Sequence, residues 1–68
     1  MNFTVIFEKT STGYSAYVPD LPGCITTGHT KQETERNIQE AIHGHLDLMR
    51  EEGLPIPEPT TTAELIPA

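Results

Sequence analysis

The sequence predicts an α+β fold, β-β-β-α-β, in which one helix packs on a four-stranded sheet. Three observations support this prediction. Short segments rich in β-forming residues, separated by glycine and proline, occupy residues 3–28. A capped amphipathic stretch follows at 30–52, and a β-permissive segment lies at 60–66. Residues 1–68 are predicted to form a single domain, and a domain this small buries only about 60% of its unfolded surface.

The first half of the chain is predicted to be an antiparallel meander. Residues 3–8 place Phe3, Val5 and Phe7 on one well-filled face, residues 14–18 are rich in β formers, and residues 24–27 follow as a third strand. Residues 9–13 are polar and contain glycine, which is typical of a hairpin loop. The Pro-Asp-Leu-Pro-Gly sequence at 19–23 must interrupt pairing, because proline has no N–H.

The helix is the most clearly delimited element. Thr30 and Glu33 have capping-box spacing, in which the hydroxyl accepts from the Glu33 N–H and the carboxylate reaches back. Gly53 is placed to end the helix in a left-handed conformation, and Pro55 prevents its continuation. Apolar or small residues form one broad stripe at positions 34, 38, 41, 42, 45, 46, 48 and 49.

The last strand, at 60–66, is predicted to lie parallel to the first after a right-handed crossover. A single helix covers only one face of a sheet. The opposite face then carries Ile6, Tyr17 and part of the third strand, and an exposed, half-apolar sheet face is a candidate interaction surface.

The charge balance restricts the partners. Ten acidic residues against four basic ones give a net charge of −6, which disfavours direct nucleic-acid binding and suits a basic protein partner. Acidity that only maintains solubility is an equally good interpretation. The run Val5-Ile6-Phe7 is too short for a signal peptide or membrane span, so we expect no membrane association and a cytoplasmic location.

Small domains usually need a further source of stability. Cys24 is the only cysteine and cannot form an intrachain disulfide, and no Cys/His cluster has metal-ligand spacing. We therefore expect a homo-oligomer, most simply a dimer, and no metal or cofactor.

No catalytic constellation is apparent, so we expect no enzyme activity. His43 and His45 lie about 200° apart around a helix and cannot hold one metal ion together. His45 falls within the apolar stripe and is interpreted as hydrogen-bonded in the core or located at an oligomer interface. Cys24 and His29 are expected on opposite faces, which leaves Cys24 as a buried structural thiol. Carboxylates spaced along the helix form a solvated face.

Residues 17–28, Tyr-Val-Pro-Asp-Leu-Pro-Gly-Cys-Ile-Thr-Thr-Gly, closely resemble the HicB family of toxin–antitoxin systems. The preceding Gly-Tyr-x-Ala-Tyr-Val, the Thr30–Glu33 pair and Ile-Pro-Glu-Pro at 56–59 also match that family. The resemblance implies a degraded RNase H-like fold that lacks the nuclease carboxylates. It also implies an antitoxin that binds a small basic HicA-type mRNA-cleaving toxin and covers its active site.

The chain departs from the family pattern in two respects. His29 and Glu33-Thr34 stand where many relatives have an acidic residue and Glu-Ala, a difference that affects helix capping. Many relatives also continue into a DNA-binding domain, whereas we expect no such C-terminal domain here and no direct DNA binding.

Two other functions stay open from the sequence: an orphan structural or regulatory oligomer, and a residual RNase H-like nuclease, for which Glu8 and Asp20 alone are too few. Asp20 lies in the proline corner, where it either bonds its own downstream backbone or contacts a toxin. The candidate partner or oligomer interface residues are Ile6, Tyr17, Asp20 and His45.

Overall fold

Three short strands and one long helix make up the regular structure in the computed structural model, which describes residues 1–68. The strands are β1 (Ile6–Lys9), β2 (Tyr14–Tyr17) and β3 (Ile25–Gly28), and the helix is α1 (Lys31–Glu51). The strands form one antiparallel sheet in the order β1-β2-β3. The helix packs mainly on β3 and β2, which confirms the α+β class. It lacks the long apolar stretch that a membrane-spanning helix needs.

The strand register sorts the side chains between the two faces of the sheet. Ile6 lies opposite Tyr17, and Tyr17 lies opposite Ile25. Because side chains alternate along a strand, these three residues share the outer face, away from α1. Phe7 and its partner Ala16 point the other way, and Ala16 is fully buried beneath the helix.

The core is small and includes the proline corner. Five apolar side chains are buried, namely Ala16, Val18, Leu21, Cys24 and Ile38. Leu21 comes from the corner itself, which is closed by backbone hydrogen bonds from Val18 to Cys24, from Leu21 to Val18 and from Cys24 to Leu21, at 3.0–3.1 Å. The Pro-Asp-Leu-Pro-Gly sequence therefore has an architectural role, because it supplies one of the few fully buried side chains.

The start of α1 confirms the predicted cap at Thr30, but the returning bond of the capping box goes to the N–H of His29, one residue before the cap. The Glu33 N–H donates to the Thr30 hydroxyl at 3.0 Å, and the Glu33 carboxylate accepts from the His29 N–H at 3.3 Å. Thr34 is fully buried, and its hydroxyl donates to the Thr30 carbonyl at 2.7 Å. Gly28 lies so close to this turn that an added Cβ would stand 2.5 Å from the Thr34 hydroxyl oxygen.

The end of α1 is also as predicted. Gly53 has a φ of +68°, and its N–H donates to the Arg50 carbonyl at 3.1 Å. The Leu54 N–H donates to the Met49 carbonyl at 2.9 Å, which completes a Schellman motif. Glycine adopts this left-handed conformation without steric cost, so the helix stops here.

The predicted fourth strand is absent, and the sheet has three strands. The N–H groups of Thr60 and Thr61 donate to the Asp20 carboxylate, and the Thr61 carbonyl accepts from the Thr4 hydroxyl. Side chains thus occupy the backbone groups that a parallel strand would have paired. The expected relation to the RNase H fold stays a prediction.

The first strand is also shorter than predicted, since it begins at Ile6 and not at residue 3. Its neighbour β2 ends at Tyr17, opposite Ile6. Val18 is followed directly by Pro19, which has no N–H to donate, and the chain then turns into the proline corner. Residues 3–5 therefore have no strand beside them with which to pair.

Candidate partner-binding surface

The outer face of the sheet carries an uncovered line of apolar side chains. Ile6, Tyr17 and Ile25, here called the apolar row, are neighbours across the three strands. Tyr17 is 38% exposed and Ile25 is 64% exposed. Beside this row lie Glu8 and its partner Ser15, so a carboxylate adjoins the apolar side chains. The sequence-predicted residues Ile6 and Tyr17 are thus brought together, and Ile25 extends them.

A shallow depression continues the apolar row into the proline corner. It has a volume of about 370 Å³ and is mostly apolar. This corner depression is lined by Tyr17, Val18, Pro19, Leu21, Pro22, Gly23, Cys24 and Ile25. Proline fixes its own φ, and the corner is closed by hydrogen bonds, so a partner that docks here orders little additional backbone.

Asp20 binds a distant segment of its own chain. Its carboxylate accepts from the N–H groups of Thr61 and Thr60 at 3.0 and 3.1 Å. It also accepts from their hydroxyls at 2.8 and 3.3 Å. The bonds from Thr61, followed by those from Thr60, lower the pKa of Asp20, because they favour the charged carboxylate. We call this arrangement the Asp20 clasp.

The clasp replaces the bond from Asp20 to its own downstream backbone that the sequence suggested. Its partners lie 40 and 41 residues away in sequence, and no local pattern indicates them. All four of its hydrogen bonds hold Thr60 and Thr61 against the corner. The expectation that Asp20 contacts another protein stays a prediction.

His45 lies apart from the apolar row. It is half-buried on α1, which covers the inner face, so the sheet separates it from the outer face. Its side chain makes no hydrogen bond within the chain, so the interpretation of a hydrogen-bonded core histidine is not supported. Its place at an oligomer interface stays a prediction.

The side chains that bear chemistry are dispersed. No three or more of the His, Cys, Asp and Glu side chains lie close enough to hold a metal ion together. Cys24 is buried, and burial raises the pKa of its thiol, which makes it a weak nucleophile at neutral pH. His29 is exposed beside the helix cap. The sequence-based prediction of a buried thiol at Cys24 is confirmed.

A second depression, which the sequence did not reveal, lies along the open side of the sheet. It has a volume of about 470 Å³ and separates the residues before β1 from the second half of α1. This edge groove is lined by Met1, Asn2, Phe3, Val5, Gln39, Ile42, His43, Leu46 and Arg50. It exists because α1 packs mainly on β3 and β2 and leaves the β1 side partly open.

The surface charge is predominantly unpaired and negative. One ion pair is present, between Arg50 and Asp47 at 3.2 Å, and both side chains are exposed. The Lys31 ammonium lies 5.4 Å from the centre of the Phe7 ring. Four basic residues therefore leave most of the ten carboxylates without a cationic neighbour. Such a surface attracts a cationic protein over distances of about a Debye length.

Comparison with known proteins gives consistent matches. The sequence profile described as HicB_like antitoxin of bacterial toxin-antitoxin system matches residues 3–68. A UPF0150 protein of Thermoplasma acidophilum is 43% identical over 58 residues, covering 84% of this chain and 84% of that protein. Antitoxin HicB 2 of Photorhabdus laumondii is 34% identical over 64 residues, covering 94% of this chain. That match covers 46% of the Photorhabdus protein, so the chain spans less than half of its length.

A solved structure is similar as well. A chain of the HicA3 and HicB3 toxin-antitoxin complex superposes with a TM-score of 0.75 and 32% sequence identity. The superposition covers 88% of this chain and 70% of that chain. The similarity therefore extends over most of the sequence and over the fold.

Proposed function

The chain belongs to the HicB-like antitoxin family of bacterial toxin–antitoxin systems, and we propose that it neutralises a small basic HicA-type mRNA-cleaving toxin by binding it and covering its active site. The observation that carries this proposal is the structural match to a chain of the HicA3 and HicB3 toxin-antitoxin complex. Inhibition would occur by occlusion, without chemistry of the chain's own.

Charge supports the first step of binding. The chain carries a net charge of −6, and the active site of an RNA-cleaving toxin must attract phosphates with basic residues. Opposite charges raise the association rate of two proteins, and added salt reduces that effect. Salt should therefore slow association more than it accelerates dissociation.

The apolar row and the corner depression supply the second step. Tyr17 and Ile25 are exposed, lie side by side and line the same depression. A tyrosine with an apolar neighbour and a pocket beside it is a common anchor in protein interfaces. Glu8, one pair of residues away on the same face, offers a carboxylate to a basic group of the toxin.

The proposal predicts a small basic reading frame next to the gene of this chain, and it is tested by co-expressing the two. We expect the neighbour to arrest growth alone and the chain to restore growth. Tyr17→Ala should weaken the purified complex by about 2–4 kcal/mol, roughly 30- to 1,000-fold in Kd, if Tyr17 is an anchor. The matched control is Leu48→Ala, which truncates a side chain 54% exposed on α1 and should leave affinity unchanged.

Two results separate the parts of this proposal. A neighbour that stays equally toxic beside the chain contradicts the antitoxin function itself. Restored growth with equal loss of affinity in the Tyr17 and Leu48 variants, or none in either, retains the function but contradicts the apolar row as its surface.

A further inference from the structure

Residues 62–68 have no regular secondary structure and make no hydrogen bond within the chain. Leu65 is 103% exposed and Ile66 is 78% exposed, the first as accessible as in an isolated peptide. The exposure of two neighbouring aliphatic side chains is unfavourable, because removing apolar surface from water lowers the free energy. Burial of Leu65 and Ile66 against a partner would therefore stabilise the segment.

The beginning of this segment is held firmly. The Asp20 clasp fixes Thr60 and Thr61, and the Thr4 hydroxyl donates to the Thr61 carbonyl at 2.6 Å. Thr4 lies two residues before β1, so the segment departs from the β1 side of the sheet. Thr60 and Thr61 are thus fixed in position, whereas the residues that follow them have no hydrogen-bond partner.

The β1 side of the sheet also offers a place for a strand. β1 is an edge strand that pairs only with β2, and its other edge presents unpaired backbone groups. The edge groove, which is lined by residues before β1 and by α1, lies on the inner side of the sheet next to the start of β1, and Ile6, the first residue of β1, lies on the outer side. An added strand would find apolar surface on both of its faces.

We propose that residues 62–66 of one copy of the chain add as a strand to the free edge of β1 in a second copy, with both copies exchanging the segment around a two-fold axis. Successive side chains of a strand point to opposite faces. One of Leu65 and Ile66 then enters the edge groove of the second copy. The other lies beside Ile6 and lengthens the apolar row. This self-association does not depend on the proposed toxin binding.

Two features favour a second copy as the occupant over a basic partner. The segment 60–68 has a single charged residue, Glu64, so it offers little to a cationic surface. The edge groove, in contrast, contains His43 and also Arg50, whose guanidinium is exposed and pairs with Asp47 in one copy, so Glu64 adds a second carboxylate near that cation.

The experiment is sedimentation of the 68-residue chain at micromolar concentration, together with amide hydrogen exchange of residues 62–66. We expect the wild type to have twice the 7.5 kDa mass of one chain and slow exchange in this segment. Leu65→Ser/Ile66→Ser should sediment as a monomer with fast exchange there. The matched control Leu48→Ser alters an exposed leucine on α1 and should remain dimeric.

The proposal is overturned by a wild-type chain that sediments as a monomer. It is also overturned if the Leu65/Ile66 variant keeps the dimer mass, since that dimer must use another surface. Fast exchange of residues 62–66 in a dimeric wild type has the same consequence, because an added strand protects its amides.

Discussion

Substituting Gly28 by alanine should destabilise the fold, because the added methyl group would lie too close to Thr34. The new Cβ would lie 2.5 Å from the Thr34 hydroxyl oxygen, 2.9 Å from its backbone nitrogen and 3.1 Å from its Cα. Two of these three atoms are backbone, so rotation of the Thr34 side chain cannot relieve the contact. Thr34 is also fully buried, and moving it endangers its 2.7 Å hydrogen bond to Thr30.

We therefore expect Gly28→Ala to lower the free energy of unfolding by about 1–3 kcal/mol, the usual cost of overpacking. The core of so small a domain supplies only about 3–5 kcal/mol. Because 1 kcal/mol corresponds to roughly 4–8 °C at this chain length, Tm should fall by at least about 4 °C. Thermal unfolding followed by circular dichroism, at one fixed protein concentration, measures this shift.

Gly44→Ala is the matched control, since it adds the same methyl group to a different glycine. An added Cβ at Gly44 has nothing within 4 Å, and the residue lies inside α1. Alanine there should raise stability by about 0.5–1 kcal/mol through helix propensity. Equal shifts of the same sign in both variants would refute the role assigned to the Gly28–Thr34 contact.

Three further predictions concern single side chains. Thr30→Ala should cost about 1 kcal/mol in urea unfolding, since it removes the acceptor for the Glu33 N–H; an unchanged midpoint would contradict the cap. The Asp20 clasp lowers the folded-state pKa from its ordinary 3.8, so its stability is fully present well above pH 3.8 and is lost as pH falls through the lowered value. An NMR titration of Asp20 with a midpoint at or above pH 3.8 would count against this. Asp20→Asn should remove the contribution of the clasp to the pH dependence of stability, and it should speed hydrogen exchange of the Thr60 and Thr61 amides. Burial and the raised thiol pKa should make Cys24 react with iodoacetamide far more slowly in the folded chain than in urea; equal rates would show that the thiol is accessible.

The elements with local determinants could be predicted from the sequence. The helix cap at Thr30 and the stop at Gly53 depend on residues within a few positions, and both lie where expected. The sharing of one sheet face by Ile6 and Tyr17 follows from alternation once two strands are placed in register. Local periodicity therefore indicated most of the apolar row.

The absence of the fourth strand could not be predicted from local sequence pattern. Residues 60–66 have a composition that permits a strand, but the N–H groups of the first two residues are bonded by Asp20, 40 and 41 residues earlier in the chain. A carboxylate that bonds two consecutive N–H groups competes with strand pairing, and no pattern within the segment reveals it. The edge groove was equally hidden, because it results from the position of α1 over β2 and β3.

The central claim, that this chain inactivates a HicA-type toxin by covering it, is tested most directly by RNA cleavage in vitro. The purified product of the adjacent basic reading frame should cleave mRNA, and increasing amounts of the chain should abolish cleavage at an equimolar ratio of the two proteins. Tyr17→Ala should require a large excess to do so, whereas Leu48→Ala should behave as the wild type. Undiminished cleavage at saturating amounts of the chain would contradict the claim.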